Sequence, residues 1–147
     1  RVNLNGSKIE LLISDMEGPN GIAFSPDESQ LYVADSLKKF INVYDLDKEG
    51  YPTNQRQFFD MDTGEEGVPD GIKIDTDGRL YSSGPGGIWV FEPSSENKTG
   101  KLIGKILFPE IPANCGWGED GSTLFVTART GVYKIRLSSK GTSVGPK

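Results

Sequence analysis

The sequence predicts an all-β protein made of β-propeller blades, with three four-stranded blades that correspond to half of a six-bladed ring. A motif that begins at Asn20 recurs 50 residues later at Asp70 and a further 44 residues later at Asn114. Propeller blades have periods of roughly 40–50 residues. The chain also contains 19 glycines and 9 prolines, spaced as turns between short strands are.

The three copies of the motif share one internal order. A polar Asn or Asp precedes a short apolar strand, an acidic turn follows, and a strand that begins with Leu and an aromatic residue completes the copy. The copies cover Asn20–Val33, Asp70–Tyr81 and Asn114–Val126. The predicted blades cover approximately residues 15–62, 63–109 and 110–137.

Further strands are predicted between the copies. Residues 40–46 alternate in polarity, with Ile41, Val43 and Asp45 on one face, which is typical of a strand. The remaining predicted strands are Gln55–Met61, Ile88–Phe91, Lys101–Phe108 and Gly131–Leu137. Each repeat then holds three or four strands, which is the content of a propeller blade.

The two ends of the chain predict how the blades are shared. Lys8–Ile13 has the pattern of a lone strand that closes a neighbouring blade, and the third repeat ends at Leu137 after its third strand. The Ser/Gly/Lys-rich tail, residues 138–147, is expected to fray. A half ring exposes apolar blade faces. We therefore expect either a homodimer that forms a six-bladed ring or pairing with a missing N-terminal half.

Composition excludes several kinds of chemistry. The chain has no histidine, which rules out Ser-His-Asp and Cys-His triads and His-ligated zinc sites. Cys115 is the single cysteine, so an internal disulfide and a Cys-x-x-Cys metal site are also ruled out. An enzyme with this composition depends on carboxylates, amides, lysines, tyrosines or a hard metal ion.

Charge and hydropathy limit the partners. The net charge of −5 argues against nucleic acid as a partner. No apolar run approaches the ~20 residues of a membrane-spanning helix, so no membrane association is expected. We expect a soluble protein, and no signal peptide is visible after Arg1. The compartment, whether cytoplasmic, periplasmic or secreted, is left open.

Two acidic segments look like the start of an EF-hand loop. They are Asp45–Gly50 and Asp75–Gly78. Position twelve of an EF-hand loop is a bidentate Glu, whereas these segments place Arg56 and Gly86 there. Both are therefore predicted to be acidic turns, and Gly84–Gly87 is predicted to be a hairpin turn.

Several motifs in register carry a family resemblance. They are Gly18–Asp27, Val68–Asp75, Gly84–Phe91, Pro112–Cys115, Thr123–Ala128 and Val132–Leu137. Over residues 8–137 the chain resembles the C-terminal half of the SMP-30/gluconolactonase/lactonase-35 family. The resemblance implies a six-bladed propeller with its active site at the top of the central channel.

The resemblance also implies a metal site. Family members bind one divalent metal through a Glu, an Asn and an Asp, and the Asn and Asp match Asn20 and Asp70. The family's Glu, with the Arg and Asn that help to hold substrate, belongs to the missing half. Oxygen ligands favour calcium, with magnesium, zinc and manganese as alternatives. The competing interpretation of both positions is a turn residue before a glycine.

Two further polar residues are candidates for lining the channel or binding substrate. Asn114 has the equivalent position in the third copy, although a structural hydrogen-bonding role is favoured there. Glu17 belongs to a Glu-Gly-Pro sequence like the family's metal motif, but the repeat register aligns that family Glu with Asn20 instead. Glu17 is therefore expected to be a loop carboxylate near the rim, and a substitute ligand only if the chain works as a dimer.

The resemblance implies hydrolysis of a small lactone, such as the sugar lactone gluconolactone, by a metal-activated water. Asp70 would position or deprotonate that water as the catalytic residue. A second chain or copy is expected to complete the site. The alternatives are a non-catalytic propeller binding module and an inactive fragment.

Overall fold

The computed structural model describes residues 9–93 and 99–142. In these residues it contains eleven strands and no helix. The strands form three antiparallel sheets, which are the three blades that the sequence predicts. Among the described residues, no helix is long and apolar enough to cross a membrane.

Each blade is a meander of strands that follow one another in the chain. Blade 1 has four strands, β1 (Pro19–Phe24), β2 (Gln30–Asp35), β3 (Phe40–Leu46) and β4 (Pro52–Asp60). Blade 2 also has four, β5 (Ile72–Ile74), β6 (Leu80–Gly84), β7 (Gly87–Phe91) and β8 (Leu102–Leu107). Blade 3 has three described strands, β9 (Pro112–Gly118), β10 (Thr123–Ala128) and β11 (Val132–Arg136).

Blade 3 therefore lacks a fourth strand within the described residues, as the position of its last predicted strand implied. In the segment expected to close a neighbouring blade, only Ile9 takes part in a β-bridge, and Lys8 lies outside the described residues. This segment would pair with a blade of a second chain or copy, so its pairing stays a prediction.

The end of the chain differs from the expected frayed tail. Gly141 forms a β-bridge with Asp75, and the amide of Thr76 donates a hydrogen bond to the carbonyl of Lys140 at 2.7 Å. The ring of Trp117 lies directly against Gly141, where any larger residue would clash. Residues 138–142 are therefore held against blade 2 because their backbone bonds and their packing are satisfied there. Residues 143–147 of the predicted tail lie outside the described residues.

The hydrophobic cores lie between blades. One core joins blades 1 and 2 and contains Tyr32, Phe58, Ile72 and Phe91, with the ring of Phe58 edge-on to both Tyr32 and Phe91. A second core joins blades 2 and 3 and contains Tyr81, Ile88, Cys115, Leu124 and Val126. Since burial of apolar area is the main favourable contribution to folding, these cores hold the three blades together.

The two acidic segments form turns, as predicted. Asp47 Oδ1 accepts the backbone amides of Glu49 and Tyr51, at 3.0 and 2.8 Å. Asp75 is fully buried, and its Oδ1 accepts the amides of Asp77 and Arg79, at 3.0 and 2.8 Å. These oxygens are used by the turns themselves.

One face of blade 1 remains open among the described residues. Ile22 pairs with Val33 and Phe24 pairs with Leu31, so these four side chains share the face that points away from blade 2. Residues 13–16 contribute Ile13 and Met16 to cover part of it. Ile22 and Phe24 nevertheless remain 57% and 50% exposed.

Candidate metal centre

The candidate ligands lie on neighbouring inner strands. Asn20 is in β1, Asp70 comes two residues before β5, and Asn114 is in β9. Strand β5 contacts both β1 and β9. Because each inner strand is the first of its blade and runs in the same sense, the three residues lie at the same edge of the sheets. We call this the ligand edge.

Two glycines allow the inner strands to approach closely. A Cβ at Gly21 would lie 2.8 Å from Cγ1 of Ile72, and closer still to the carbonyl oxygen of Asp70. A Cβ at Gly71 would lie 2.7 Å from Cα of Asn114. Neither glycine has a positive φ. The glycine after each candidate ligand is therefore required by contact with the next blade, which argues against the interpretation as a left-handed turn.

Asn20 and Asp70 are in contact. The side-chain amide of Asn20 lies close enough to the Asp70 carboxyl to lower its pKa as a donor, and its Nδ2 donates a hydrogen bond to Ser36 Oγ at 3.2 Å. The Ser36 hydroxyl in turn donates to the carbonyl of Pro69 at 2.6 Å. Since the amide nitrogen is used in these bonds, the amide oxygen is the atom of Asn20 that is available to a cation.

Asp70 is held in a half-buried position. Its backbone amide donates to Ser83 Oγ at 3.2 Å, and the Ser83 hydroxyl donates to the carbonyl of Ala113 at 3.0 Å. Burial raises the pKa of the Asp70 carboxyl above its ordinary value, and the hydrogen bond from Asn20 offsets this only in part. No described residue forms an ion pair with Asp70, so a cation would stabilise its charged form.

Asn114 uses its side-chain oxygen within its own strand. Its Oδ1 accepts the backbone amide of Cys115 at 2.8 Å. The side chain is exposed, and its backbone packs against Gly71. The neighbouring Cys115 is buried, which raises the pKa of its thiol to about 12 and leaves it protonated at neutral pH. Asn114 thus has a structural hydrogen bond at the ligand edge.

Glu17 lies at the rim. Its carboxylate is 3.5 Å from Lys38 Nζ, and its backbone amide donates to Asp35 Oδ2 at 2.9 Å. Its contacts in the described part of the chain do not include Asn20 or Asp70. The structure therefore brings Asn20 and Asp70 together and leaves Glu17 in a separate ion pair.

Asn20 and Asp70 have the ligand chemistry that a hard cation prefers, but they are fewer than the ligands that such a cation needs. Asn20 and Asp70 offer an amide and a carboxylate oxygen, which are ligands for calcium or magnesium. No group of three Cys, Asp or Glu residues in residues 9–93 and 99–142 is placed to hold a metal. Calcium takes 6–8 oxygen ligands. Water, substrate and residues outside this chain would have to supply the rest.

Sequence reasoning missed the two serines that position this pair. Ser36 and Ser83 lie near the ends of the second strands of blades 1 and 2, and each bonds to the carbonyl that precedes the candidate residue of the next blade. The sequence does place a serine near the end of the second strand in both repeats, and this recurrence could have indicated them. The role of each serine becomes clear only when the adjacent blade is known, because its hydroxyl bonds to a carbonyl of that blade.

The three antiparallel blades, stacked through the cores between them, define a part of a β-propeller, with Asn20 and Asp70 as candidate oxygen ligands at one edge. The family described as SMP-30/gluconolactonase/LRE-like region matches residues 1–130. The chain therefore belongs to this family.

Individual relatives agree with this assignment. The chain is 39% identical over 144 residues to a gluconolactonase of Zymomonas mobilis, covering 91% of this chain and 39% of the relative. It is 32% identical over 128 residues to regucalcin of Sus scrofa, covering 84% and 42%. A solved gluconolactonase from Xanthomonas campestris superposes with a TM-score of 0.78 and 31% identity, covering 90% of this chain and 42% of that one. The chain thus spans about two fifths of the length of these relatives.

Proposed function

We propose that this chain supplies part of the active site of a metal-dependent lactonase that hydrolyses a small sugar lactone such as gluconolactone. The observation that carries the proposal is the proximity of Asn20, in β1, to Asp70, which leads into the adjacent inner strand β5 and is half-buried and outside any ion pair of the described residues. The names of the relatives, two of which are gluconolactonases, support the same reaction class.

Asn20 and Asp70 are the residues that would hold the metal, through the amide oxygen and the carboxylate. Calcium is the proposed ion because both ligands are hard oxygen donors. When bound, a divalent cation supplies Lewis acidity to the lactone carbonyl and lowers the pKa of a water molecule. Ser36 would keep the Asn20 side chain in place, and Ser83 would hold the backbone at Asp70, through the bonds described above.

Asp70 would also take part in the chemistry. Its carboxylate can accept a proton from the attacking water, whose oxygen then bonds to the lactone carbonyl carbon. The ester bond to the ring oxygen breaks, and the proton finally resides on that oxygen. The product is an open-chain hydroxy acid. No histidine and no protein nucleophile is needed, which agrees with the composition.

The site would be completed by a second chain. This chain offers two protein ligands, and the open face of blade 1 leaves Ile22 and Phe24 half exposed. Either a second copy or a missing N-terminal half would cover that face and bring further ligands to the channel. In the strand that is expected to close a neighbouring blade, the side chains of Ile9 and Leu11 are likewise largely exposed.

A comparison of two carboxylate variants tests the proposal. Calcium should raise the thermal stability of the wild-type chain and support hydrolysis of glucono-1,5-lactone. Asp70→Asn should abolish turnover. It should also weaken calcium binding, measured through the calcium-induced stabilisation, by at least about tenfold because the carboxylate charge is lost. Glu92→Gln, which removes an exposed carboxylate paired with Lys101, is the matched control and should behave as wild type.

The same experiment separates the alternatives. If calcium, magnesium, zinc and manganese all fail to change stability and lactone hydrolysis, the lactonase proposal is lost and a non-catalytic propeller module or an inactive fragment remains. Full activity of Asp70→Asn would remove Asp70 from the mechanism. Circular dichroism of each variant checks that the blades stay folded.

A further inference from the structure

The ligand edge carries an unbalanced set of charges. It comprises the segments that lead into the inner strands (17–20, 61–71 and 108–114) and the hairpins 36–39, 85–86 and 129–131. Its cations are Lys38, Lys39 and Arg129. Its carboxylates are Glu17, Asp62, Glu65, Glu66, Asp70 and Glu110. The edge where substrate would enter therefore carries six acidic groups and three basic groups.

Each of the three cations is already in an ion pair. Lys38 Nζ lies 3.5 Å from Glu17, and Lys39 Nζ lies 2.9 Å from Asp62 Oδ1. The guanidinium of Arg129 pairs with Glu66, which belongs to the segment leading to Asp70.

Arg129 is the cation of most interest because of its position. It follows β10 at the end where Thr127 pairs with Asn114, and its pair with Glu66 joins the hairpin of blade 3 to the segment that precedes Asp70. Arg129 also acts on Glu110, whose pKa is lowered mainly by hydrogen bonds from Tyr133 and Thr130 and further by this charge. A guanidinium without a partner at this position could bind a phosphate or sulfonate group through two parallel hydrogen bonds. The carboxylates of Glu66 and Glu110 interact with it instead.

We infer that the ligand edge selects uncharged lactones and rejects lactones that carry a phosphate or sulfonate group. Glu66 is the specificity-determining residue because its carboxylate pairs with the Arg129 guanidinium, which could otherwise bind such a group. This inference rests on the proposed lactonase function and names its substrate class. The same charge balance favours product release, because hydrolysis converts an uncharged ring ester into an anionic hydroxy acid that the excess carboxylates repel.

The test compares glucono-1,5-lactone with its 6-phosphate, using the full chain in calcium. Wild type should show a kcat/KM at least about tenfold higher for the uncharged lactone at low salt. Because exposed charges are screened beyond about 10 Å at 0.1 M salt, the ratio should shrink as salt is raised. Glu66→Gln frees Arg129 and should reduce the ratio by about threefold or more, with little change for the uncharged lactone.

Glu65→Gln is the matched control. It removes the same charge one residue away, but Glu65 accepts only a hydrogen bond from Thr63 among the described contacts and leaves the Arg129 pair intact. It should change the ratio much less than Glu66→Gln does. The double variant Glu66→Gln with Arg129→Gln should lose the gain for the phosphorylated lactone. Equal ratios in the Glu65 and Glu66 variants would show a general charge effect and overturn the role of Glu66.

A second readout does not depend on catalysis. Inorganic phosphate is titrated into the protein while the NMR signal of the Arg129 guanidinium is followed. Wild type should show no saturable shift, and Glu66→Gln should show one. If this result holds without any lactone hydrolysis, the proposed function fails and the anion exclusion stands. If the phosphorylated lactone is hydrolysed as fast as the uncharged one, or phosphate binds wild type as well as Glu66→Gln, the inference fails while the proposed function stands.

Discussion

At the residue scale, the spacing of the candidate ligands is set by the glycines that follow them. Gly21 and Gly71 bring the inner strands of consecutive blades into contact, and this contact places Asn20 beside Asp70 and Gly71 beside Asn114. The Asn-Gly and Asp-Gly pairs look like hairpin turns in the sequence. In the fold they mark the positions where adjacent inner strands touch.

A substitution at Gly71 tests this role. Gly71→Ala should destabilise the fold by about 2 kcal/mol or more, because the new Cβ would meet the backbone Cα of Asn114 and the strand would have to move. Gly116→Ala is the control, since a Cβ there meets no atom within 4 Å. Denaturant unfolding of both variants measures the difference, and similar values for the two would remove close packing as the reason for the glycine.

At the scale of elements, an ion pair on the outer strands supports blade 1. Arg56 in β4 donates from Nη2 to Asp45 Oδ1 in β3 at 2.6 Å and from Nη1 to Oδ2 at 2.9 Å. The hydrogen bond from Arg56 is the main cause that lowers the pKa of Asp45, although burial acts in the opposite direction. The hairpin thus extends to Pro52, three residues before the predicted start of β4.

The pair predicts a dependence of stability on pH. Because the folded-state pKa of Asp45 is below its unfolded value near 3.8, the stabilisation is complete above that value and is lost as pH falls below it. Arg56→Gln should therefore cost about 1 kcal/mol at pH 7, a modest value because both side chains are partly exposed. The difference between wild type and variant should shrink towards pH 2. A constant difference across urea unfolding curves at pH 7 and pH 2 would contradict the pair's contribution.

At the scale of the whole molecule, the positions of the hydrophobic cores indicate that the three described blades do not form a closed ring. Each interface between described blades is filled by a hydrophobic core, whereas the outer face of blade 1 is covered only in part by Ile13 and Met16. Exposed apolar faces of this kind mark interaction surfaces. The relatives are more than twice as long as this chain.

Association should therefore depend on this face. Phe24→Glu places a charge on the open face and should weaken self-association, seen as a lower mass by light scattering at the same protein concentration. Leu107→Glu changes a side chain that is 75% exposed on the outer strand β8 and serves as the control. A stable, folded monomer in wild type would exclude the closure by two copies and leave pairing with a missing half.

The sequence by itself determined the fold class, the number of blades and most of the strands. The two-residue alternation of Phe40–Leu46 and the Leu-aromatic strands could be read directly, because side-chain period reports which face of a strand is buried. The candidate metal residues were also found in the sequence, from the repeat and the family resemblance. Their contact with each other could not be derived from spacing, since Asn20 and Asp70 are 50 residues apart.

Only the tertiary structure decided what surrounds those residues. Three kinds of contact join parts of the chain that are distant in sequence. They are the serine bridges between blades, the packing of residues 138–142 against blade 2 and the pairing of Arg129 with Glu66. Local patterns report propensity and burial, whereas such contacts depend on how blades stack against one another. The physical reason is that stacking across blades is fixed by close packing of their side chains, which a one-dimensional period does not encode.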